Sequence, residues 1–174
     1  MKGVVRYIVL CCAGLLLSCR PQAPQIPSQR KSAAPEVDST ALALLALNQQ
    51  LASAADQQLA ALVQKESMPY ALYEAGTWMC ILSRGDENRP HPQEGEEWTI
   101  HMRIYNLEGK LLTESEATYP IGKYELPQAV DANIGELYPG GKARLYAPWY
   151  SAYGLRGTKT IAPYENVIIE IELK

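Results

Sequence analysis

The order of two kinds of segment constrains this chain more than any other feature. One long Ala/Leu/Gln-rich run comes first, from residues 38–40, each of which can cap a helix, to about Glu66. Pro69 and Gly76 then end the helical pattern, and short β-rich segments follow. This order predicts an α+β fold in which one long helix precedes an antiparallel sheet.

Five segments after Gly76 alternate apolar and polar residues or are rich in β-branched residues, which is typical of strands. They span residues 78–83, 97–106, 110–116, 142–148 and 167–173. Between the third and the fourth, residues 127–137 fit a short helix, since a proline suits its first turn and apolar residues recur on one face. The sequence therefore predicts a mostly antiparallel sheet that wraps one short helix.

An apolar stripe runs along the predicted long helix. Its members recur at steps of three or four residues: Leu44, Leu47, Leu51, Ala55, Leu59 and Leu62. Such a stripe must pack against something. Either the helix packs on its own domain, or it forms a dimer seam or a client-binding arm, and the second alternative predicts a homodimer through this N-terminal helix.

The amino terminus has the pattern of an export signal. Lys2 and Arg6 accompany an apolar stretch over residues 4–17, which is shorter than the roughly 20 residues of a membrane-spanning helix. Leu16-Leu17-Ser18-Cys19 resembles the bacterial lipobox. The resemblance implies that residues 1–18 are a cleaved signal peptide and that acylated Cys19 anchors the chain in a lipid bilayer. A plain signal peptide or an uncleaved anchor is the alternative.

Residues 20–38 hold four prolines and few apolar side chains, so we expect a disordered tether. The predicted organisation is a signal peptide over 1–18, the lipidated cysteine and tether over 19–38, an amphipathic helical segment over 39–75 and a folded domain over 76–174. Because Arg20 and no acidic run follow Cys19, we expect a membrane-anchored lipoprotein of the bacterial cell envelope that faces the periplasm.

Charge and side-chain chemistry narrow the function. Loss of the signal leaves 14 basic against 19 acidic residues and no basic cluster, which argues against nucleic acid as a partner. Cys80 lies in an apolar run and is expected to be buried. His91 and His101 are far apart, and the acidic residues of 86–97 fit a solvated turn, so we predict no metal and no cofactor.

Three stretches near the carboxyl terminus form a recognisable series. They are a Gly-rich turn into a strand at residues 140–145, an Ala-Tyr-Gly loop at 152–154, and an Ile-Ala-Pro bend at 161–163 before the last strand. The series resembles the FKBP family of peptidyl-prolyl isomerases, and the likeness spans about residues 76–174. With the lipobox and the long helix, the string at 147–154 is similar to FKBP-type lipoproteins of Bacteroidetes, some of which are tied to gliding motility.

The resemblance implies an FKBP-like fold and a membrane-anchored peptidyl-prolyl cis-trans isomerase. Such an enzyme would act on proline-containing polypeptides and assist the folding of exported proteins. Tyr153 matches the tyrosine whose hydroxyl donates to a substrate carbonyl, and is the implied catalytic residue. The implied walls of the proline pocket are Met102, Leu112, Leu126, Val130, Ile161 and Ile169.

Departures from the family pattern predict an altered pocket. The chain contains no Phe, and Val130 stands where the family places a tryptophan floor, so we expect a wide aliphatic pocket and weak activity. Without a gap, Pro127 takes the position whose backbone N–H meets the ligand, and proline has none. A one-residue shift would give that role to Leu126 and move Val130 off the floor. Side chains that could restore aromatic character are Tyr119, Trp149 and Tyr150.

These departures leave a second function open. A non-catalytic FKBP-like chaperone, or a binding module of an envelope assembly for motility or secretion, would keep the fold and the long helix without needing the aromatic pocket.

Overall fold

The structure, a computed structural model, describes residues 39–174. The predicted signal peptide, the lipidation site at Cys19 and the tether lie outside the described residues. Across the described range, no helix combines the length and the apolar character needed to cross a membrane.

The long helix α1 spans Ser39–Val63. It ends three residues before the predicted Glu66, in a turn where the amides of Lys65 and Glu66 donate to carbonyls three residues back at 3.0 and 3.1 Å. Pro69 follows and disfavours helical geometry in the residue before it. The segment predicted over 39–75 therefore contains more than a helix, because its last residues join the sheet.

Six antiparallel strands form one sheet in the order β1-β2-β5-β6-β3-β4. Their bounds are β1 Ala71–Leu72, β2 Trp78–Ser83, β3 Glu97–Tyr105, β4 Leu111–Pro120, β5 Lys142–Ala147 and β6 Val167–Leu173. Strand β1 and the longer β4 were not predicted at these bounds. The predicted α+β class, with an antiparallel sheet and a preceding long helix, is confirmed.

The short helix is broken rather than continuous. Helix α2 spans Gln128–Asp131, and a 3₁₀ turn at Ile134–Glu136 follows it. A separate 3₁₀ turn, Glu74–Gly76, lies before β2. The break falls at Asn133, whose side-chain amide donates to the Ala129 carbonyl at 2.8 Å while its Oδ1 accepts from the Glu74 amide at 3.0 Å. Local side-chain bonds of this kind compete with the helical pattern, so the predicted helix over 127–137 divides there.

The inner face of the sheet packs against α2. Alternate residues of each central strand point to that face, as the two-residue period of a strand requires. The core that results includes Ile100, Met102 and Ile104 from β3, Leu145 from β5, Ile169 and Ile171 from β6, and Val130 from α2. Cys80 is buried, as expected.

Helix α1 packs on the opposite, outer face of the sheet. Leu59 and Val63 join a cluster with Tyr146 and Ile168, which pair across β5 and β6. The amino-terminal part of the predicted stripe is exposed to solvent, and Leu44, for example, is 57% exposed. The carboxyl-terminal half of α1 thus packs on its own domain, and the homodimer through this helix stays a prediction.

Candidate functional site

An open cavity of about 590 Å³ lies between the start of α2, strands β3 and β4, and the loop after β5. It is lined by apolar side chains, three tyrosines and a few smaller polar groups: Met102, Ile104, Thr113, Ser115, Tyr119, Glu125, Leu126, Pro127, Tyr150, Ala152, Tyr153 and Gly154. Its volume falls within the roughly 300–1,000 Å³ typical of small-ligand sites. A ligand that has an apolar ring and a few polar groups would fit this lining.

One wall of the cavity comes from β3 and β4. Met102 and Ile104 are two residues apart on β3 and therefore share its inner face. Ser115 lies opposite Met102, and Thr113 lies opposite Ile104, in the antiparallel pairing with β4. This wall consequently joins an apolar strand to one that carries hydroxyl groups.

The start of α2 forms a second edge. The Pro127 carbonyl accepts from the amides of Val130 and Asp131 at 2.8 and 3.0 Å, so Pro127 begins the helix. Pro127 has no N–H to offer a ligand. The amide of neighbouring Leu126 donates to no group within residues 39–174. The Leu126 amide is therefore unpaired at this edge, and fully buried Val130 is not part of the lining.

The loop over residues 148–154 forms the third side and carries Tyr153. Its turn is closed by the Ser151 amide donating to the Pro148 carbonyl at 3.0 Å and the Gly154 amide donating to the Trp149 carbonyl at 2.7 Å. Gly154 adopts a φ of +66°, a conformation that favours glycine. Hydrogen bonds within the loop therefore hold the backbone from which the Tyr153 side chain projects.

The Tyr153 phenol lines the cavity, and its hydroxyl has no hydrogen-bond partner in the described part of the chain. Burial, with a smaller effect of the nearby Tyr119 phenol, raises the pKa of Tyr153 to about 12. The phenol therefore keeps its proton at neutral pH. The hydroxyl is open to the cavity and is not sealed in the core, so it can donate to a carbonyl group of a bound ligand.

Three of the predicted site residues, Tyr153, Met102 and Leu126, line this cavity. The other four, Leu112, Val130, Ile161 and Ile169, are not part of its lining. Val130, Ile161 and Ile169 are at most 1% exposed and belong to the core, and Leu112 packs against that core. Their predicted position as pocket walls is corrected on this point. Ile169 pairs with cavity-lining Ile104 across β3 and β6, so the two side chains lie side by side on one face of the sheet, but Ile169 is covered by the core.

Two of the three side chains that could restore aromatic character line the cavity. Tyr119 and Tyr150 join the lining, so the pocket is not purely aliphatic. Trp149 does not join it, because its ring packs against Tyr164 with centroids 4.8 Å apart. Ile104, Thr113 and Ser115 were missed. The two-residue strand period starting from Met102 could have found Ile104, and the register of β4 could have found the other two.

The two histidines have structural partners. His91 Nδ1 lies 2.7 Å from the Gly135 carbonyl, and His101 Nε2 lies 2.8 Å from Glu114 Oε1. Within residues 39–174, no group of three or more His, Cys, Asp and Glu side chains could hold a metal ion.

The sheet wraps a short helix, and a cavity lined in part by tyrosines lies between them. Comparison with known proteins then shows what this part of the chain is similar to. Residues 89–174 match the family described as FKBP-type peptidyl-prolyl cis-trans isomerase. The carboxyl-terminal part of the chain is therefore similar to this family. No curated protein matches the sequence.

Two solved structures resemble the fold. A peptidyl-prolyl cis-trans isomerase from Pseudomonas syringae pv. tomato str. DC3000 aligns with a TM-score of 0.58 and 20% identity, over 72% of this chain and 92% of that one. AtFKBP13 aligns with a TM-score of 0.54 and 23% identity, over 60% of this chain and 95% of that one. At these identities the likeness concerns the fold, and it confirms the predicted FKBP-like fold.

Proposed function

We propose that this protein is a peptidyl-prolyl cis-trans isomerase that acts on proline-containing polypeptides. One observation carries the proposal. In the part of the chain that matches the FKBP-type family, the hydroxyl of Tyr153 lines a cavity with both apolar and polar walls and forms no hydrogen bond with another described residue. This is the donor that a carbonyl-binding site for a proline peptide requires.

The reaction needs no nucleophile and no proton transfer. Rotation about the X–Pro bond meets a barrier of about 18–20 kcal/mol because amide resonance is lost in the twisted state. The twisted amide is less polar than the planar one, so an apolar site with few waters favours it. Fixed donors that meet the substrate carbonyls add further stabilisation, since they need no reorganisation during the reaction.

The residues of the cavity divide these tasks. Met102, Ile104 and Leu126 provide apolar surface for the proline ring. The Tyr153 hydroxyl donates to a carbonyl of the substrate next to the rotating bond. The Leu126 amide, which has no partner among the described residues, acts as a second donor in the role that Pro127 cannot fill. No covalent bond forms or breaks, so the product leaves as the other isomer of the same peptide.

We further propose that the enzyme is a lipoprotein of the cell envelope. The lipobox-like sequence before Cys19 supports acylation at that residue, and the proline-rich tether supports a domain held away from the bilayer. An envelope position that faces the periplasm would make exported proteins the clients. The kinship with Bacteroidetes lipoproteins is supported by the same sequence and by the string at residues 147–154.

The proposal is tested by refolding a protein whose slow phase is limited by proline isomerisation, a step that takes about 10–100 s without catalysis. The full mature chain should accelerate this phase in proportion to its concentration. Tyr153→Phe should reduce the acceleration about tenfold, the loss expected from removing one hydrogen-bond donor. A slow phase that the wild-type protein leaves unchanged would exclude the enzyme.

A second candidate function is a non-catalytic chaperone or binding module of an envelope assembly. It is favoured by the four leucines, Leu42, Leu44, Leu45 and Leu47, that are about half exposed on the amino-terminal half of α1. Under this function, suppression of client aggregation survives Tyr153→Phe and is lost when Leu42 and Leu45 are replaced by Ser. Under the isomerase function, Tyr153→Phe lowers the acceleration of refolding, whereas replacement of Leu42 and Leu45 by Ser leaves that acceleration unchanged.

A further inference from the structure

We propose that α1 is part of the proline site, with Asp56 as a positioning residue that fixes the Tyr150 wall and the loop that carries Tyr153. This inference rests on the proposed isomerase function. Asp56 lies outside residues 89–174, which match the family, so the family pattern says nothing about this contact.

The direct link is a hydrogen bond between the helix and the cavity wall. The Tyr150 hydroxyl donates to Asp56 Oδ1 at 2.6 Å. The same Tyr150 side chain lines the cavity. Its hydroxyl also packs against Gly76, where an added Cβ would collide with it. The phenol is therefore held between α1 and the turn before β2 while the ring contributes to the pocket.

A second link joins α1 to the same loop from another side. The Gln58 side chain accepts from Asn166 Nδ2 at 2.8 Å, and Asn166 Oδ1 accepts from the Trp149 amide at 2.9 Å. The Trp149 and Tyr150 rings meet edge to face, with centroids 5.6 Å apart. Trp149 and Tyr150 are neighbours in the loop, and hydrogen bonds link them to α1. Their partners on the helix, Gln58 and Asp56, lie within one helical turn of each other.

Fixing this loop has a chemical consequence. Tyr153 lies three residues after Tyr150, and the turn between them is closed by its own hydrogen bonds. A shift of the Tyr150 end therefore displaces the Tyr153 hydroxyl. Because a donor misplaced by about 1 Å can cost up to a hundredfold in rate, a contact on the outer side of the loop can set the activity of the inner side.

The chain offers a matched control for this contact. The Tyr146 hydroxyl donates to Glu66 Oε1, also at 2.6 Å, and also joins the α1 region to the domain. Tyr146 packs on the outer face of the sheet and is not part of the cavity lining. The two bonds are alike in chemistry and length, and they differ in whether the tyrosine belongs to the site.

The test compares Tyr150→Phe and Asp56→Ala with Tyr146→Phe and Glu66→Ala, all in the full mature chain. We expect kcat/KM for a proline peptide to fall about tenfold in the first pair and by less than about twofold in the second, at similar losses of unfolding free energy. Asp56→Asn keeps an oxygen acceptor and should recover most of the rate. The double variant Tyr150→Phe/Asp56→Ala should lose no more than either single variant.

A readout without catalysis separates this inference from the function on which it rests. With ring-labelled tyrosine, Asp56→Ala should shift and broaden the Tyr153 resonances, whereas Glu66→Ala should leave them unchanged. Equal effects of the two substitutions on these resonances, or an unchanged rate in Asp56→Ala, would overturn the positioning role. Failure of the wild-type protein to isomerise proline would overturn the function and leave the resonance comparison to decide the coupling of Asp56 to Tyr153.

Discussion

Tyr119 at the end of β4 and Tyr153 in the loop after β5 line the same cavity. Burial raises the pKa of Tyr153, and the electrostatic effect of the Tyr119 phenol raises it further. Two phenols thus line a site for which the sequence predicted aliphatic walls, with Tyr119 among the side chains that could add aromatic character. Tyr119 supplies an aromatic surface, and Tyr153 supplies the donor.

Removal of the Tyr119 hydroxyl should lower the pKa of Tyr153 only slightly, because burial is the larger cause of its shift. Tyr119→Phe keeps the ring and should keep the isomerase rate within about twofold. Tyr119→Ala removes the aromatic wall and should raise KM more than it lowers kcat. Spectrophotometric tyrosine titration and steady-state kinetics check both parts, with 89% exposed Tyr124→Phe as control. A KM that Tyr119→Ala leaves unchanged contradicts a role in the wall.

Loss of buried aliphatic packing should affect stability before it affects the site. Ile169 is fully buried, so Ile169→Ala should lower the free energy of unfolding by about 2–5 kcal/mol. The control is Leu111, whose side chain is 47% exposed. Leu111→Ala should change the free energy of unfolding by less than about 0.5 kcal/mol. Denaturant unfolding measures both. A loss in Ile169→Ala no larger than in the control would show that the core assignment is wrong.

Asn133 should be sensitive to substitution because its buried side chain joins α2 to the turn before β2. In Asn133→Ala the Glu74 amide loses the acceptor at 3.0 Å, and the Ala129 carbonyl loses the donor at 2.8 Å. We expect a loss of about 1–3 kcal/mol in the free energy of unfolding. Exposed Asn88→Ala is the control, with a change below about 0.5 kcal/mol. Equal urea unfolding midpoints for Asn133→Ala and the wild-type protein would refute the bridging role.

The domain should lose stability at alkaline pH. Burial is the first cause that raises the pKa of Tyr153 and of Tyr146 to about 12, whereas an unfolded tyrosine titrates near 10. Above pH 10 the unfolded chain therefore releases protons that the folded chain retains, and the free energy of unfolding falls between pH 10 and 12. Unfolding in urea at pH 8 and at pH 11 measures the fall, and Tyr153→Phe should make it smaller. A fall that Tyr153→Phe does not reduce would contradict the raised pKa.

Local pattern predicts the sheet well and the ends of its helices poorly. The predicted strands at residues 78–83 and 167–173 coincide with β2 and β6, since alternation and β-branched residues specify them locally. The short strand β1 escaped prediction because only two residues pair. The break in the predicted short helix depends on contacts of Asn133 with Glu74, which lies 59 residues away along the chain.

The site was harder to predict than the fold. Tyr153 could be proposed because it lies in a short string of a known pattern. Tyr119, Trp149 and Tyr150 were all candidates for an aromatic wall, but the sequence could not choose among them, because the position of Tyr119 depends on the register of β4 and that of Tyr150 on α1. Ile161 and Ile169 have the residue type of a wall, yet only packing decides which apolar side chain faces the cavity and which faces the core.

The most direct test of the central claim is two-dimensional exchange NMR on a proline peptide with the full mature chain, comparing wild type with Tyr153→Phe. The account predicts that the wild-type protein speeds cis/trans exchange and that Tyr153→Phe lowers this effect about tenfold, with the free energy of unfolding unchanged within about 0.5 kcal/mol. An exchange rate that the wild-type protein does not raise, or that the two proteins raise equally, would contradict it.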